Sequence, residues 1–178
     1  RGNKADTDAA FARAAKVSRV EIVNNRLVAN YMETRGIIAE YDPATERFTL
    51  TLGTQGGHGM RDRIAKDVLR IPPKNIRVIT PDVGGGFGTK SFNYQEYPLA
   101  AIAAKKLGKP VKWIEDRSEN LQADSFARDY HMTAELSADE NGKITGLRVK
   151  TLADDGAADA AANPSKFPAG LYSIGTGS

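Results

Sequence analysis

Cysteine is absent from the 178 residues, which excludes disulfides, thiolate-bound zinc and iron–sulfur ligation within them. Histidine occurs only twice, as His58 and His131, so a metal site built wholly from protein side chains is not expected. No apolar run approaches the ~18 residues of a membrane-crossing helix, and no charged-then-apolar leader opens the chain. An excess of one charge is lacking too. The 25 basic and 22 acidic residues leave a net charge of +3 and are interspersed, which argues against a nucleic-acid partner. The length suffices for one hydrophobic core or two small lobes, expected at residues 1–120 and 121–178. The chain opens on Arg1 and closes on Gly175-Thr176-Gly177-Ser178, so it is expected to be an internal piece of a longer polypeptide.

The residues present point to an α+β fold, with mixed sheets and packed helices. Asp6 or Thr7 can cap a short alanine-rich helix over 8–15. Val17, Val20, Ile22 and Val23 predict a strand. A hairpin is predicted from 36–41 and 47–52 around the turn Asp42-Pro43-Ala44-Thr45. From Gly59 to Arg70, Met60, Ile64, Val68 and Leu69 recur at helical spacing, and Pro72 and Pro73 should end that helix. Ile76 to Ile79 reads as a strand leading into Gly84-Gly85-Gly86-Phe87-Gly88. A buried helix is expected over 98–107, closed by Lys105, Lys106 and Gly108. Strands follow at 111–114, 130–136 and 143–152, the last two joined by a turn containing Asn141-Gly142, with Ser118 capping a brief turn between. From Asp154 onward the text is loop-like. The element order suggests helices on one face of a mixed sheet.

The glycine loop carries the strongest chemical signal. Consecutive glycines after a strand let backbone N–H groups approach a ligand with no Cβ in the way. The segment that follows is expected to supply a helix N-terminus, whose free amides and dipole add to the attraction for phosphate, so a phosphate-bearing cofactor is the reading. The dinucleotide fingerprint fails on spacing, because the sixth position counted from Gly84 is Thr89, and the P-loop pattern is not met around Lys90. The competing reading is a tight turn beside a buried helix, with Phe87 in a core.

Three stretches together, Thr54-Gln55, Asp82 to Lys90 with its glycines, and Trp113 to Glu119, resemble the molybdopterin-binding large subunit of the xanthine oxidase and aldehyde oxidase family. Asp-Ala-Ala-Phe near the start and Met32-Glu33-Thr34-Arg35-Gly36 fit the same pattern. The resemblance implies a molybdenum-dependent oxidoreductase and places this chain within its cofactor-binding domain. By that resemblance Gln55 hydrogen-bonds an oxo ligand of molybdenum, an office suited to an amide that donates without titrating. Phe87 and Gly88 would lie beside the metal, with Gly56, Gly84, Gly85, Gly86 and Thr89 completing the cofactor-binding set. No residue of the chain would ligate the metal directly. Members acting on xanthine carry a glutamate shortly after the loop, where this chain has Ser91, so a purine substrate is not expected.

Within the family, Ser125 to Met132 and Asn163 to Gly170 are similar to the carbon monoxide dehydrogenase branch. That branch implies molybdopterin cytosine dinucleotide as cofactor, copper held by a cysteine beyond Ser178, and a catalytic glutamate also beyond it. It implies an iron–sulfur small subunit and an FAD medium subunit as partners, assembled as a dimer of heterotrimers, and a cytoplasmic or membrane-associated location. Oxidation of an aldehyde or aromatic heterocycle is the alternative activity, and a non-catalytic assembly module the alternative of another class. His58, near Gln55, is a candidate donor to the cofactor, whereas His131 reads as a structural or solvent-facing strand residue. Glu115-Asp116-Arg117 reads as an ion-pair cluster at a strand end.

Overall fold

A computed structural model describes residues 2–125 and 129–154. The loop expected after Asp154 and the segment 163–170 lie outside the described residues, as does part of 125–132. The chain separates into two compact units, one formed by residues 1–27 with 128–178 and the other by 28–127. The boundary expected at residue 120 therefore falls elsewhere, because the first strand of the chain pairs with a strand more than a hundred residues later.

In the first unit, β1 (Lys16–Asn24) runs antiparallel to β6 (Tyr130–Ala138), which in turn pairs antiparallel with β7 (Ile144–Ala153). The Asn141-Gly142 turn forms as expected, with Gly142 at φ +81°. Helix α1 (Lys4–Ala12) packs on β7. It starts earlier than its alanines suggested because Asn3, not Asp6 or Thr7, is the cap, its side-chain oxygen accepting from the Asp6 N–H at 3.2 Å. Arg148 of β7 lies over the Phe11 ring at 4.2 Å and pairs with Asp8 at 2.9 Å, so the helix is held by a cation–π contact and an ion pair.

The second unit holds the main core. Its four-stranded sheet has the order β4 (Ile76–Ile79), β3 (Arg47–Leu52), β2 (Gly36–Asp42), β5 (Val111–Ile114). The β3/β4 pair is parallel and the others antiparallel. Period-2 alternation puts Ile37, Ala39, Phe48, Leu50, Leu52 and Ile76 on one face. That face is covered by Met60, Ile64 and Ala65 from the first helical segment and by Tyr97, Ala100, Ala101 and Ala104 from α3 (Glu96–Leu107). The expected arrangement of helices on one face of a mixed sheet is thus present in this unit, while the first unit's sheet is wholly antiparallel.

Two helices differ from the periodicity. The predicted helix at 59–70 begins at Gly57 as α2 (Gly57–Arg63) and continues as π-helical turns over Ile64–Leu69. It ends where Arg70 turns left-handed at φ 54° and the Ile71 N–H donates to the Ala65 carbonyl, just before the two prolines. Helix α3 is not buried all round. Its alanines and Tyr97 face the sheet, whereas Leu99, Ile102 and Leu107 are exposed, because small side chains let only one face approach the strands closely.

Candidate functional site

Gln55 and the glycine loop lie 33 residues apart in sequence and meet because β3 and β4 are parallel neighbours, with Thr51 opposite Ile79. The chain leaves both strands at the same edge of the sheet, as in open α/β sheets that bind ligands beyond strand C-termini. Segment 53–56 leaves β3 and turns into α2, and segment 80–88 leaves β4. The Gln55 Oε1 accepts the Gly88 N–H at 2.9 Å, and its own backbone N–H donates to the Lys90 carbonyl at 3.2 Å. Since an N–H can only donate, the bond to Gly88 fixes which way the carboxamide faces. Its Nε2 is left directed away from the loop as a donor with no partner among the described residues.

The glycines are required by close approach. A Cβ on Gly86 would lie 2.6 Å from Gln55 Oε1, and one on Gly84 would lie 2.5 Å from the Glu33 Cβ. The Gly84 N–H is taken by Glu33 Oε2 at 3.0 Å, that of Gly88 by Gln55, and that of Thr89 by the Gly86 carbonyl at 2.9 Å. Among the described residues nothing accepts from the N–H groups of Gly85, Gly86 and Phe87. These three donors and the Gln55 carboxamide make up a backbone cradle, in which a Cβ on Gly84, Gly85 or Gly86 would run into Glu33, Tyr31 or Gln55. A group rich in acceptor oxygens fits it.

A regular helix does not follow the loop. Thr89–Ser91 forms a single 3₁₀ turn, Phe92 is extended, and α3 starts only at Glu96. The helix N-terminus expected beside the loop is therefore not formed, and its dipole contribution falls away. Thr89 is buried, its carbonyl accepting from the Tyr94 hydroxyl at 3.0 Å. Gly56 caps α2, its carbonyl accepting from the Met60 N–H at 2.9 Å. The Ser91 carbonyl accepts from Arg63 at 2.7 Å. His58 sits exposed in the first turn of α2, and His131 is solvent-facing on β6.

Phe87 bears on the competing reading of a tight turn with its ring in a core. It is 73% exposed and adopts φ 50°, so it is not a core anchor and holds a backbone conformation costing an ordinary side chain roughly 1–2 kcal/mol. An exposed aromatic ring kept in a strained conformation is not accounted for by packing. Phe87→Gly should accordingly leave the thermal midpoint unchanged or raise it slightly. A loss near the 3–5 kcal/mol of a buried aromatic, read in urea unfolding, would place the ring in the core after all.

Sequence reading missed the polar cluster beside the site. Arg35 is fully buried and reaches Asp124 at 2.5 Å, Glu115 at 2.5 Å and Glu96 at 3.1 Å, with its guanidinium 3.6 Å from the Tyr94 ring centroid. The Tyr31 hydroxyl donates to Asp124 and accepts from Asn120 at 2.8 Å. Burial, then the neighbouring Asp124, pushes the Tyr31 pKa above its ordinary value, and burial raises that of Glu115. Burial penalises the Arg35 cation, yet Asp124 and Glu115 hold its pKa above the arginine norm.

Glu115-Asp116-Arg117 consequently does three separate things instead of forming one ion-pair cluster. Glu115 is buried against Arg35. Asp116, not Ser118, caps α4 (Arg117–Ala123) in a reciprocal box with Glu119. Arg117 donates to the Tyr31 and Met32 carbonyls at 2.8 and 3.0 Å. A charged residue in each flanking segment, Arg35 and Glu115, was the available signal, but nothing local pairs them.

Residues 1–176 match the family model described as "Molybdopterin cofactor-binding domain". The chain belongs to that family. This molybdopterin cofactor-binding domain is 45% identical over 177 residues to the carbon monoxide dehydrogenase large chain of Hydrogenophaga pseudoflava, covering 99% of the chain and 22% of the relative. It is 39% identical over 157 residues to the nicotine 6-hydroxylase large subunit of Paenarthrobacter nicotinovorans, covering 88% of the chain and 19% of the relative. Reconstituted CO dehydrogenase from Oligotropha carboxidovorans superposes with a TM-score of 0.76 at 44% identity, covering 86% of the chain and 19% of that structure. The domain thus spans about a fifth of the length of these relatives, which are oxidoreductases of the molybdenum hydroxylase class. Among the described residues no helix is long and apolar enough to cross a membrane.

Proposed function

We propose that this chain is part of the large subunit of a carbon monoxide dehydrogenase, oxidising carbon monoxide to carbon dioxide with the oxygen of water. Support for the cofactor comes from the cradle: one outward carboxamide and three unengaged N–H groups brought together past two parallel strands. Support for the substrate comes from the 45% identity to a carbon monoxide dehydrogenase large chain. Molybdopterin cytosine dinucleotide is the proposed cofactor, and its molybdenum supplies the redox chemistry when bound.

In this reading the protein's own groups bind and orient. Gln55 Nε2 donates to an oxygen ligand of the metal, and its Oε1, held by Gly88, keeps it aimed. The N–H groups of Gly85, Gly86 and Phe87 donate to the cofactor. Phe87 shields it from water, while Gly56, Gly84 and Thr89 hold the surrounding backbone. Copper, where present, is held by a cysteine outside residues 1–178, as is the catalytic glutamate. Electrons leave to an iron–sulfur small subunit and an FAD medium subunit in a cytoplasmic dimer of heterotrimers. The 39% identity to nicotine 6-hydroxylase favours a second reading, hydroxylation of an aromatic heterocycle or aldehyde without copper.

The test is molybdenum content and dye reduction of the full-length enzyme carrying Gln55→Ala. Loading at least about tenfold below wild type is expected, the cost of losing a group that orients a bound metal. Full loading in the variant would leave only a subunit-assembly role for this surface. Dye reduction by wild type with carbon monoxide supports the first activity, and reduction with a heterocycle or aldehyde alone supports the second.

A further inference from the structure

We infer that Glu33 and Lys90 together are the positioning residues of the cofactor cradle, an inference that rests on the cofactor-binding reading above. Lys90 lies in the 3₁₀ turn that follows the glycine loop, and its ammonium is fully buried. A buried cation is tolerated only where a partner fixes it. That partner is Glu33 Oε2 at 2.6 Å, with the Tyr31 ring centroid 4.7 Å from the nitrogen.

The same carboxylate oxygen accepts the Gly84 N–H at 3.0 Å, and the Glu33 N–H donates to the Gly84 carbonyl at 3.1 Å. The first glycine of the loop is therefore clamped on both sides by one residue. At its other end Lys90 accepts, through its carbonyl, the Gln55 N–H at 3.2 Å and the Thr54 hydroxyl at 3.1 Å. One ion pair thus ties together the two segments whose separation sets the cradle, the Gln55 exit from β3 and the start of the glycine loop. Gly53 leaves room for it, since a Cβ there would lie 3.2 Å from Glu33 Oε2 and 3.5 Å from Lys90 Nζ. Lys90, acting against burial and joined by the Gly84 N–H, holds the Glu33 carboxyl below the usual glutamate range.

The pair lies outside the hydrophobic core cluster, and Glu33 keeps 45% of its side chain exposed. Its removal should disturb the cradle more than the fold. In the full-length enzyme, Glu33→Ala should lower molybdenum and released cytidine monophosphate per subunit by about tenfold or more. Glu33→Gln keeps an oxygen in reach of both Gly84 and Lys90 and should recover most of that loading. Because Glu33→Ala strands a buried cation, the double variant Glu33→Ala/Lys90→Met separates folding from positioning: with no orphaned charge its thermal midpoint should approach wild type while it stays underloaded. Wild-type loading in the double variant, or equal losses for Glu33→Ala and Glu33→Gln, would overturn the inference. Gln55→Ala measured beside them keeps the two levels apart, since full loading there refutes the cofactor reading itself.

Discussion

Gly86→Ala is expected to leave the fold standing while the enzyme loses its cofactor. The new Cβ would lie 2.6 Å from Gln55 Oε1 and 3.0 Å from its Cδ. Both atoms are at the far end of a flexible side chain that can swing aside at little cost in stability. Gly86 is not among the residues with positive φ, so alanine fits its backbone. What is lost is the bond from the Gly88 N–H that aims the carboxamide. Unfolding free energy should stay within about 0.5 kcal/mol of wild type, as for a substitution away from the core, while molybdenum content falls by about ten- to a hundredfold. Gly84→Ala differs in kind, because its Cβ would meet the Glu33 Cβ at 2.5 Å, an atom rooted in backbone, and both stability and loading should drop. Metal analysis beside urea unfolding distinguishes them, and a fully loaded Gly86→Ala enzyme would refute the role given to Gln55.

The largest stability effect is expected from Arg35→Met. It keeps an apolar stem but orphans Glu115 and Asp124 in the interior, with Glu96 at the margin. Breaking a buried pair in this way costs about 3–5 kcal/mol. The deficit should depend on pH, with a definite sign. An orphaned buried carboxyl has a folded pKa raised above its unfolded value, so the stability it contributes is complete below the unfolded value and disappears as pH climbs through the folded one. The variant should therefore be closest to wild type near pH 5 and furthest from it near pH 8. Urea unfolding at the two pH values checks this, and an equal deficit at both would mean that the carboxylates find other partners.

The parts of the site visible in sequence are those with a local physical signature. Three adjacent glycines after a β-branched strand mark a backbone that must approach something closely, and the spacing from Gln55 to the loop follows from one strand–helix–strand crossover. Lys90 with Glu33, and Arg35 with Glu115 and Asp124, were not legible, because each is a tertiary pair whose members are separated by 57 to 89 residues. Periodicity located α2 but could not show the π-helical continuation, in which packing against the sheet and α3 overrides the 3.6-residue repeat. Likewise Val17, Val20, Ile22 and Val23 announced a strand without announcing its partner or that all four side chains stay exposed in this unit.

That partnership between β1 and β6 has a consequence for biosynthesis. Asn24 pairs with Tyr130, so on a ribosome adding about 5–20 residues per second the first strand waits roughly 5–20 s for its neighbour. Throughout that interval the apolar strand lacks the β6 partner that it has in the folded unit. The intervening unit, residues 28–127, can finish folding in the meantime. A trigger of aggregation in overproduced protein should therefore be sought in residues 16–24, and chaperone co-expression should raise the yield of assembled enzyme more than slower denaturant removal does for chain refolded whole.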